Sequence, residues 1–456
     1  MNAKTNKNYE IDMCHGPLFV KLLTFTVPLI LSGILQLMFN AADVIVVGRF
    51  AGGEALAAVG ATSALTNLLI NLFMGLGVGV NVLVAGYYGA HKEKEVQNTV
   101  HTAVCVSVMG GVLLAFVGFF LSGPLLAVMK TPDDVIAYSV LYMRIYFAGM
   151  PALLLYNFGS AALRAVGDTK RPLLYLTIAG VINVVLNLIF VILLHMGVAG
   201  VALATVLSQC VSAYMVFRCL MTYEGMIRVS VRKLGIHKGE FIKILRIGLP
   251  AGIQGSFFSV SNVLIQSTIN SFGSVAMAGN TAAGNIEGFV YTSMNAVSQA
   301  SVSFTGQNLG GRQYKRIRKV LLESLALVIG IGLVEGSLVL LFHNQILSLY
   351  STDPEVIAIG AGRLAVIMVS YFLCGSQEVL TGSIRGLGHG IMPMLVVLMG
   401  VCGFRILYIL TYVSNHRTLV NLYLSYPISW IITTIALICG FEVVYRKLMN
   451  LIGEKA

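Results

Sequence analysis

The stretch ALRAVGDTKRP at residues 162–172 returns in the second half of the chain as SIRGLGHGIMP at 383–393. Arg164, Gly167 and Pro172 fall on Arg385, Gly388 and Pro393, an offset of about 221 residues. Three more pairs keep nearly that spacing. TPDDVIA (131–137) falls on TDPEVIA (352–358), VAGYYGAHKEK (84–94) on FTGQNLGGRQY (304–314), and LTFTVPL (23–29) resembles ILRIGLP (244–250). Four matches in order at one spacing mean that the 456-residue chain consists of two similar halves.

Composition says what each half is made of. The chain is 57% hydrophobic and only 11% charged, with a mean hydropathy of +0.85. Soluble domains carry about 25% charged residues, so this chain lacks a water-facing surface. Apolar runs recur from Leu18 to Val444, each near or above the ~20 residues that cross a bilayer. At that depth each backbone N–H needs an internal partner, which leaves helices or a closed barrel. The runs exceed barrel strands and do not alternate in polarity, so they are helices. They are predicted over 20–47, 55–88, 100–121, 137–163, 173–194, 199–221, 247–271, 276–304, 320–342, 357–384, 393–413 and 422–444. The fold class is thus an all-α polytopic membrane protein of twelve transmembrane helices in two six-helix repeats. An even number of spans per half makes the repeats parallel, related by a pseudo-two-fold along the membrane normal. The expected domains are an N-lobe (1–221), a basic cytoplasmic linker (222–246) and a C-lobe (247–456). Pro28, Pro250 and Pro427 lie in or near spans, where proline bends a helix.

Charge placement orients the chain. Its net charge is +11. With both termini in the cytoplasm, the inner segments hold Lys4, Lys7, Lys21, Lys92, Lys94, Arg164, Lys170, Arg171, the linker, the run Arg312–Lys319, Arg446, Lys447 and Lys455. Arg49, Lys130 and Arg417 fall outside. This positive-inside bias predicts a multi-pass protein of the plasma (inner) membrane whose basic loops face anionic lipid headgroups. It accounts for the charge without a nucleic-acid partner. The polar N-terminus MNAKTNKNYEIDMCHG has no apolar core and does not read as a cleavable signal peptide. The seven cysteines show no CxxC spacing and mostly sit in apolar runs, so neither disulfides nor a metal site is expected. No cofactor is expected, and a monomer is.

A polar or ionisable residue inside a span costs roughly 2.5–3.5 kcal/mol at mid-helix if charged, so each one asks for a reason. In QLMFNAADVIVVG, Gln36, Asn40 and Asp43 recur at i, i+4 and i+7 and share one helix face. The fifth helix carries Asn183 and Asn187 at i, i+4, and the sixth carries Thr205. A carboxylate, two amides and a hydroxyl can hold a proton or coordinate a small cation, or simply bond helices together. In the second half Glu287, Glu335, Glu378 and Arg405 lie within spans. Glu287 and Arg405 read either as an ion pair or as cation and substrate contacts in the cavity, and Asn40 and Glu378 as further substrate-cavity candidates. Arg144 and Arg363 read as snorkelling from helix ends, and His195 as an interface residue. GLGVGVN (75–81) and GSVAMAGNTAAG (273–284) are small-residue stretches suited to close helix approach. No HExxH, GxSxG or Walker A run is present, so uphill transport would draw on an ion gradient.

These residues carry a resemblance. PLILSGILQLMFNAADVIVVGRFAGGEALAAVGATS, GDTKRP, NVVLNLIF with GVAGVALATVLS, and GQNLGGRQYKR resemble, in this order, the multidrug and toxic compound extrusion (MATE) transporters, over nearly the whole chain. The resemblance implies V-shaped lobes, alternating access, and cation-coupled antiport of amphiphilic, often cationic drugs, with H+ or Na+ as the coupling ion. By position it makes Asp43 the first-helix acid of the N-lobe cation site, with Gln36, Asn183, Asn187 and Thr205 around it. Where some members have a second acid this chain has Asn187, which favours a proton over sodium. A second branch uses acids of helices seven and ten; Phe258 and Cys374 stand at about those positions here. The second half places Ile265 opposite Asp43. Two other readings stay open. A lipid-linked precursor flippase of the same superfamily would need a positively charged cavity, for which Arg405 is the candidate. A membrane-embedded enzyme would need clustered His, Cys or acidic residues. A major-facilitator transporter would share the parallel plan, but GAHKEKEVQN lacks that group's basic loop run.

Overall fold

A computed structural model describes residues 9–129 and 131–453, so Lys4, Lys7, Lys130 and Lys455 lie outside the described residues. Every regular element among the described residues is helical. In chain order, α1 (Leu18–Val46) runs into a π-turn (Val47–Ala51) and is followed by α2 (Gly53–Gly89) and α3 (Glu93–Val128). α4 is bent by 46° where Asp133–Ala148 meets Met150–Ala165, with Gly149 and Pro151 at the break. α5 (Lys170–Asn187) also ends in a π-turn (Leu188–Leu193), and α6 is Gly197–Thr222. α7 (Lys238–Asn270), α8 (Ser274–Gly310), α9 (Tyr314–Leu341) and α10 (Pro354–Gly386) follow. α11 spans Ile391–Val413 and α12 Leu419–Gly453.

Ten of these spans, counting bent α4 as one, are long and apolar enough to cross a membrane. α7 and α8, at 33 and 37 residues, complete the twelve. They are the more polar ones because their Ser, Asn and Gln side chains meet neighbours rather than lipid: Ser298 and Ser301 of α8 donate to the α10 carbonyls of Glu378 and Val379. α7 begins nine residues before the predicted start at 247. Only Tyr223–His237 of the basic linker is therefore non-helical, apart from a short 3-10 turn at Val231–Lys233. That stretch is fastened to α3, where His101 Nε2 accepts the Ser230 N–H at 3.0 Å and Thr102 Oγ1 accepts the His237 N–H at 3.0 Å.

The repeat is written into the backbone more sharply than into the side chains. α2 and α8 start at Gly53 and Ser274 and end at Gly89 and Gly310, both 221 residues apart. α5 and α11 start at Lys170 and Ile391, and their terminal π-turns at Leu188 and Ile409, at the same spacing. Left-handed residues pair likewise: Gly52 with Gly273 (φ 94° and 102°), His91 with Arg312 (54° and 57°), Gly167 with Gly388 (95° and 87°). Pro28 and Pro250, however, are 222 apart. The extra residue of the first half is taken up by the π-turn Val47–Ala51, which α7 lacks; a one-residue insertion is what a π-turn absorbs. Ile265, at 222, is thus the correct counterpart of Asp43.

By internal packing the described chain forms two units. Unit 1 holds the residues up to Asp12 and Leu31–Gly252; unit 2 holds Met13–Ile30 and the residues from Ile253 onward. α1 and α7 each contribute to both, changing unit near their prolines. Within unit 1, Gly75 and Gly79 of α2 face Gly248 and Gly252 of α7, two GxxxG patterns that bring backbones into contact. A Cβ on Gly75 would stand 2.1 Å from the Gly252 nitrogen and 2.6 Å from the Gly248 carbonyl oxygen. No side-chain rotation relieves that clash. Gly75→Ala is expected to lower the thermal midpoint of the purified protein clearly, while Gly53→Ala, with open space at its Cβ, leaves it within a degree or two. Unchanged stability in Gly75→Ala would show that these helices separate freely.

Candidate functional site

In unit 1 the polar stripe of α1 meets α5 and α6. Asn187 Nδ2 donates to Asp43 Oδ1, and Thr205 Oγ1 donates to Asp43 Oδ2 at 3.4 Å. Asn187 Nδ2 also approaches Asn183 Oδ1 at 3.3 Å, and Asn183 Nδ2 reaches Thr205 Oγ1 at 3.5 Å. Asn187 is fully buried, and its Oδ1 has no hydrogen-bond partner among the described residues. Both carboxylate oxygens of Asp43 are therefore served by neutral donors, with one buried amide oxygen left over beside them. The i, i+4 spacing on α5 is what lets Asn183 and Asn187 point the same way.

The two π-turns explain the placement. Val47–Ala51 begins one turn beyond Asp43, and Leu188–Leu193 begins immediately after Asn187. Their Val47 and Val191 pack with Val46, Ala55, Val198 and Val201 into a small apolar cluster that seals this end of the polar group. Phe39 lies against Gly180 so closely that any Cβ there would meet the ring, which fixes the α1–α5 approach.

Gln36, Asn40, Asp43 and Thr205 all line one cavity of about 370 Å3, within the size range of small-ligand sites. Its remaining wall includes Asn157 of α4, Gln209 of α6, and Tyr142 and Tyr146 of α4, whose rings stack at 5.9 Å. Among the described residues, no Lys or Arg lines it. A smaller cavity of about 100 Å3 shares Asp43 and reaches Asn183. The cavity thus offers one carboxylate, several amides and an aromatic wall. Asn157, Gln209, Tyr142 and Tyr146 escaped the sequence reading. The signal was present in the Tyr142/Tyr146 and Thr205/Gln209 pairs at i, i+4, but apolar neighbours on both sides hide such pairs in a hydropathy-driven scan.

Unit 2 treats its charges differently. Glu287 is buried in a two-pronged ion pair with Arg363: Nε donates to Oε1 at 2.6 Å and Nη2 to Oε2 at 2.8 Å. Arg363 Nη1 donates to Asn280 Oδ1 at 2.9 Å. This corrects two expectations. Arg363 does not snorkel, being 7% exposed, and the partner of Glu287 is Arg363 rather than Arg405. The reason is reach: Arg363 on α10 faces α8 directly, while Arg405 on α11 turns toward α12. Arg405 donates from Nε to Ser429 Oγ at 2.9 Å and lies over the rings of Tyr426 (4.1 Å) and Trp430 (5.6 Å). Desolvated cation–π contacts offset about 2 kcal/mol of the cost of burying such a charge, less than that cost in full. Glu378 stands near Tyr291 and Arg385, and Glu335 is half-buried on α9. Neither shares a cavity with Asp43. Arg144 is exposed and donates to the Phe119 carbonyl, and His195 is exposed at the α5–α6 turn with a left-handed backbone.

Outside the spans, the α4–α5 turn holds Asp168, fully buried beside Arg171 at 3.4 Å. Burial pushes its carboxyl up to about 6, against the pull of the Arg171 N–H and guanidinium. An unfolded aspartate titrates near 3.8. Between these values the folded chain binds more protons, so stability is highest at low pH and falls as pH rises from about 4 to 6, by at most about 3 kcal/mol. Thermal unfolding across that window is expected to show this decline in the wild type and to lack that component in Asp168→Asn.

A family model described as MatE matches the chain twice, over residues 28–189 and 250–413, once in each repeat. The chain is similar to the probable multidrug resistance protein YoeA of Bacillus subtilis, 29% identical over 433 residues and spanning 93% of each chain. It is 28% identical over 377 residues to the probable multidrug resistance protein YpnP of the same organism, spanning 83% of this chain and 84% of the relative. Its fold is similar to a solved outward-facing multidrug resistance MATE family transporter of the MOP superfamily. That match has a TM-score of 0.87 at 22% identity and covers 97% of this chain and 98% of the other.

Proposed function

The chain belongs to the MatE family, and we propose that it is a multidrug efflux transporter that exports amphiphilic, often cationic small molecules in exchange for protons taken up on Asp43. The observation that carries this reading is the pairing of both Asp43 oxygens with the donors of Asn187 and Thr205 inside the wall of a ligand-sized cavity. Sodium prefers five or six oxygen ligands, whereas Asn187 turns its NH2 toward the carboxylate. One carboxylate among neutral donors is suited to carry one proton. The cavity, free of Lys and Arg, gives a cation a counter-charge and the Tyr142/Tyr146 stack a face to lie on. Proton and substrate then compete for Asp43. Protonation removes the charge, loosens the Asn187 contact, and lets α1 rearrange between Pro28 and its π-turn, the step by which the site changes access.

We place the protein in the plasma (inner) membrane with both termini cytoplasmic, as a monomer of an N-lobe (1–221) and a C-lobe (247–456) joined by the basic 222–246 linker. Lipids are its surroundings, and nucleic acid is not a partner. Asn40 contacts substrate, with Gln36, Asn183, Asn187 and Thr205 setting the proton affinity of Asp43. The flippase reading is not favoured, since the cavity lacks the positive charge that a lipid-linked phosphate requires. The test is transport of a cationic dye by proteoliposomes under an imposed pH gradient or an imposed sodium gradient. The pH gradient alone is expected to drive it. Sodium-driven transport without a pH gradient would overturn the proton assignment.

A further inference from the structure

Unit 2 contains a charge that the proton and drug chemistry of unit 1 leaves unused. Arg405 is buried at 4% exposure on α11, and its guanidinium has no carboxylate within ion-pair distance among the described residues. The ionisable groups around it are Tyr426, Cys374, Cys402 and a second cation, Arg363. Arg363 is already engaged: Glu287 takes two of its donors and Asn280 a third. Both guanidiniums lie over the Tyr426 ring, Arg405 at 4.1 Å and Arg363 at 5.4 Å from its centroid. Two cations against one carboxylate leave this buried group with an excess positive charge, carried by Arg405.

The backbone around Arg405 is unusual as well. It sits in a five-residue α segment, Phe404–Tyr408, between two π-turns, Leu398–Gly403 and Ile409–Val413. Such turns break the regular hydrogen-bond ladder and gather at functional positions. From this segment a ladder of rings runs along α11. Phe404 stacks on Tyr408 at 5.7 Å, Tyr408 meets Tyr412 at 5.1 Å, and Tyr412 stacks on His416 at 4.8 Å in the exposed α11–α12 turn. Flat apolar faces thus lead from the end of the helix, over about 16 Å at the helical rise, toward a buried cation.

We propose that Arg405, with Ser429, Tyr426 and Trp430, forms a binding site for an organic anion, specifically an aromatic carboxylate. Its carboxylate pairs with the guanidinium and its ring lies among Tyr426, Trp430 and the α11 ladder. A planar fork of N–H donors matches a carboxylate in two-point fashion, and the surrounding rings select a flat apolar body. The site is independent of Asp43.

Trp430 is the sole tryptophan of the chain and lies 5.6 Å from the Arg405 guanidinium, so its fluorescence reports on this site directly. Full-length protein in phosphatidylcholine nanodiscs, free of anionic lipid, is titrated with benzoate, neutral benzamide and cationic benzyltrimethylammonium. Benzoate is expected to give a saturable change in emission, and the other two to bind at least tenfold more weakly. Arg405→Met is expected to weaken benzoate at least tenfold, Arg405→Lys to retain part of the response, and Asp43→Asn to retain all of it. Equal responses to benzoate and benzamide in the wild type would overturn the assignment even if Arg405→Met did not fold. So would an Arg405→Met protein that folds and still binds benzoate normally. A failure of dye export through Asp43 with an intact benzoate response would count against the first reading only.

Discussion

Asp43→Asn is expected to abolish dye export driven by a pH gradient, with at least a tenfold loss of initial rate, while the protein still folds and inserts. Asparagine keeps the size of the side chain; its carbonyl can still accept from Asn187, and its NH2 can donate to the Thr205 hydroxyl oxygen, so the α1–α5–α6 contacts survive. What disappears is the one charge that lines the cavity among the described residues. Without it the site neither takes up a proton nor offers a counter-charge to a cation, so coupling and substrate affinity fall together. Asn187→Asp is the informative companion. It places a second carboxylate against the first, and two like charges at that distance hold one proton tightly. Export by that variant is expected to need a more alkaline receiving side or to accept sodium. The measurement is dye uptake into inverted proteoliposomes as a function of pH on each side. Wild-type rates in Asp43→Asn would remove Asp43 from the coupling step.

Much of this was legible in the sequence, for identifiable reasons. Apolar runs longer than a bilayer leave helices as the remaining choice, and the Arg164/Arg385 and Pro172/Pro393 matches fix the repeat because turns tolerate little variation. Gln36, Asn40 and Asp43 were readable as one face because helical spacing is rigid within two turns, and the cavity does place them together. Asn187 and Thr205 also arrive beside Asp43.

Tertiary choice of partner was not legible. Glu287 had two arginines within reach of a guess, Arg363 and Arg405, and only the facing of α10 toward α8 decides between them. Periodicity along one helix carries no information about which neighbour another helix presents. The bend of α4 at Gly149 and the π-turns were also hidden, since an apolar run of span length reads the same with or without them. One of these turns could have been found. The repeat spacing changes from 222 at Pro28 and Pro250 to 221 at Gly52 and Gly273, so one extra residue had to be absorbed between Pro28 and Gly52. With that register the asymmetry of the halves is complete: Asp43, Asn183, Asn187 and Thr205 fall on Ile265, Phe404, Tyr408 and Tyr426. Ile265, Tyr408 and Tyr426 belong to an apolar cluster of unit 2 with Ile269, Val413 and Leu422. The same place in the repeat is a polar site in one unit and an aromatic core in the other.

That contrast gives the Glu287–Arg363 pair its weight. Glu287→Ala is expected to be the most destabilising single change in unit 2, by about 3–5 kcal/mol, because it leaves Arg363 buried and unpaired. Arg405 aggravates the loss: with Glu287 gone, two guanidiniums face the Tyr426 ring with no carboxylate between them. Glu287→Gln keeps the shape and one acceptor and should cost less, though still clearly, since the charge is lost. Arg363→Met alone should be nearly as harmful as Glu287→Ala, stranding the carboxylate against Asn280 and Tyr423. The double variant Glu287→Leu with Arg363→Met removes both charges and is expected to recover most of the stability, as replacing a whole buried ion pair by apolar groups often does. Thermal unfolding in detergent of the wild type, Glu287→Leu, Arg363→Met and the double variant closes the cycle. A coupling energy near zero would mean that the pair contributes nothing as a pair. A large coupling together with a stable double variant would assign it to holding α8 against α10, leaving substrate recognition to other residues.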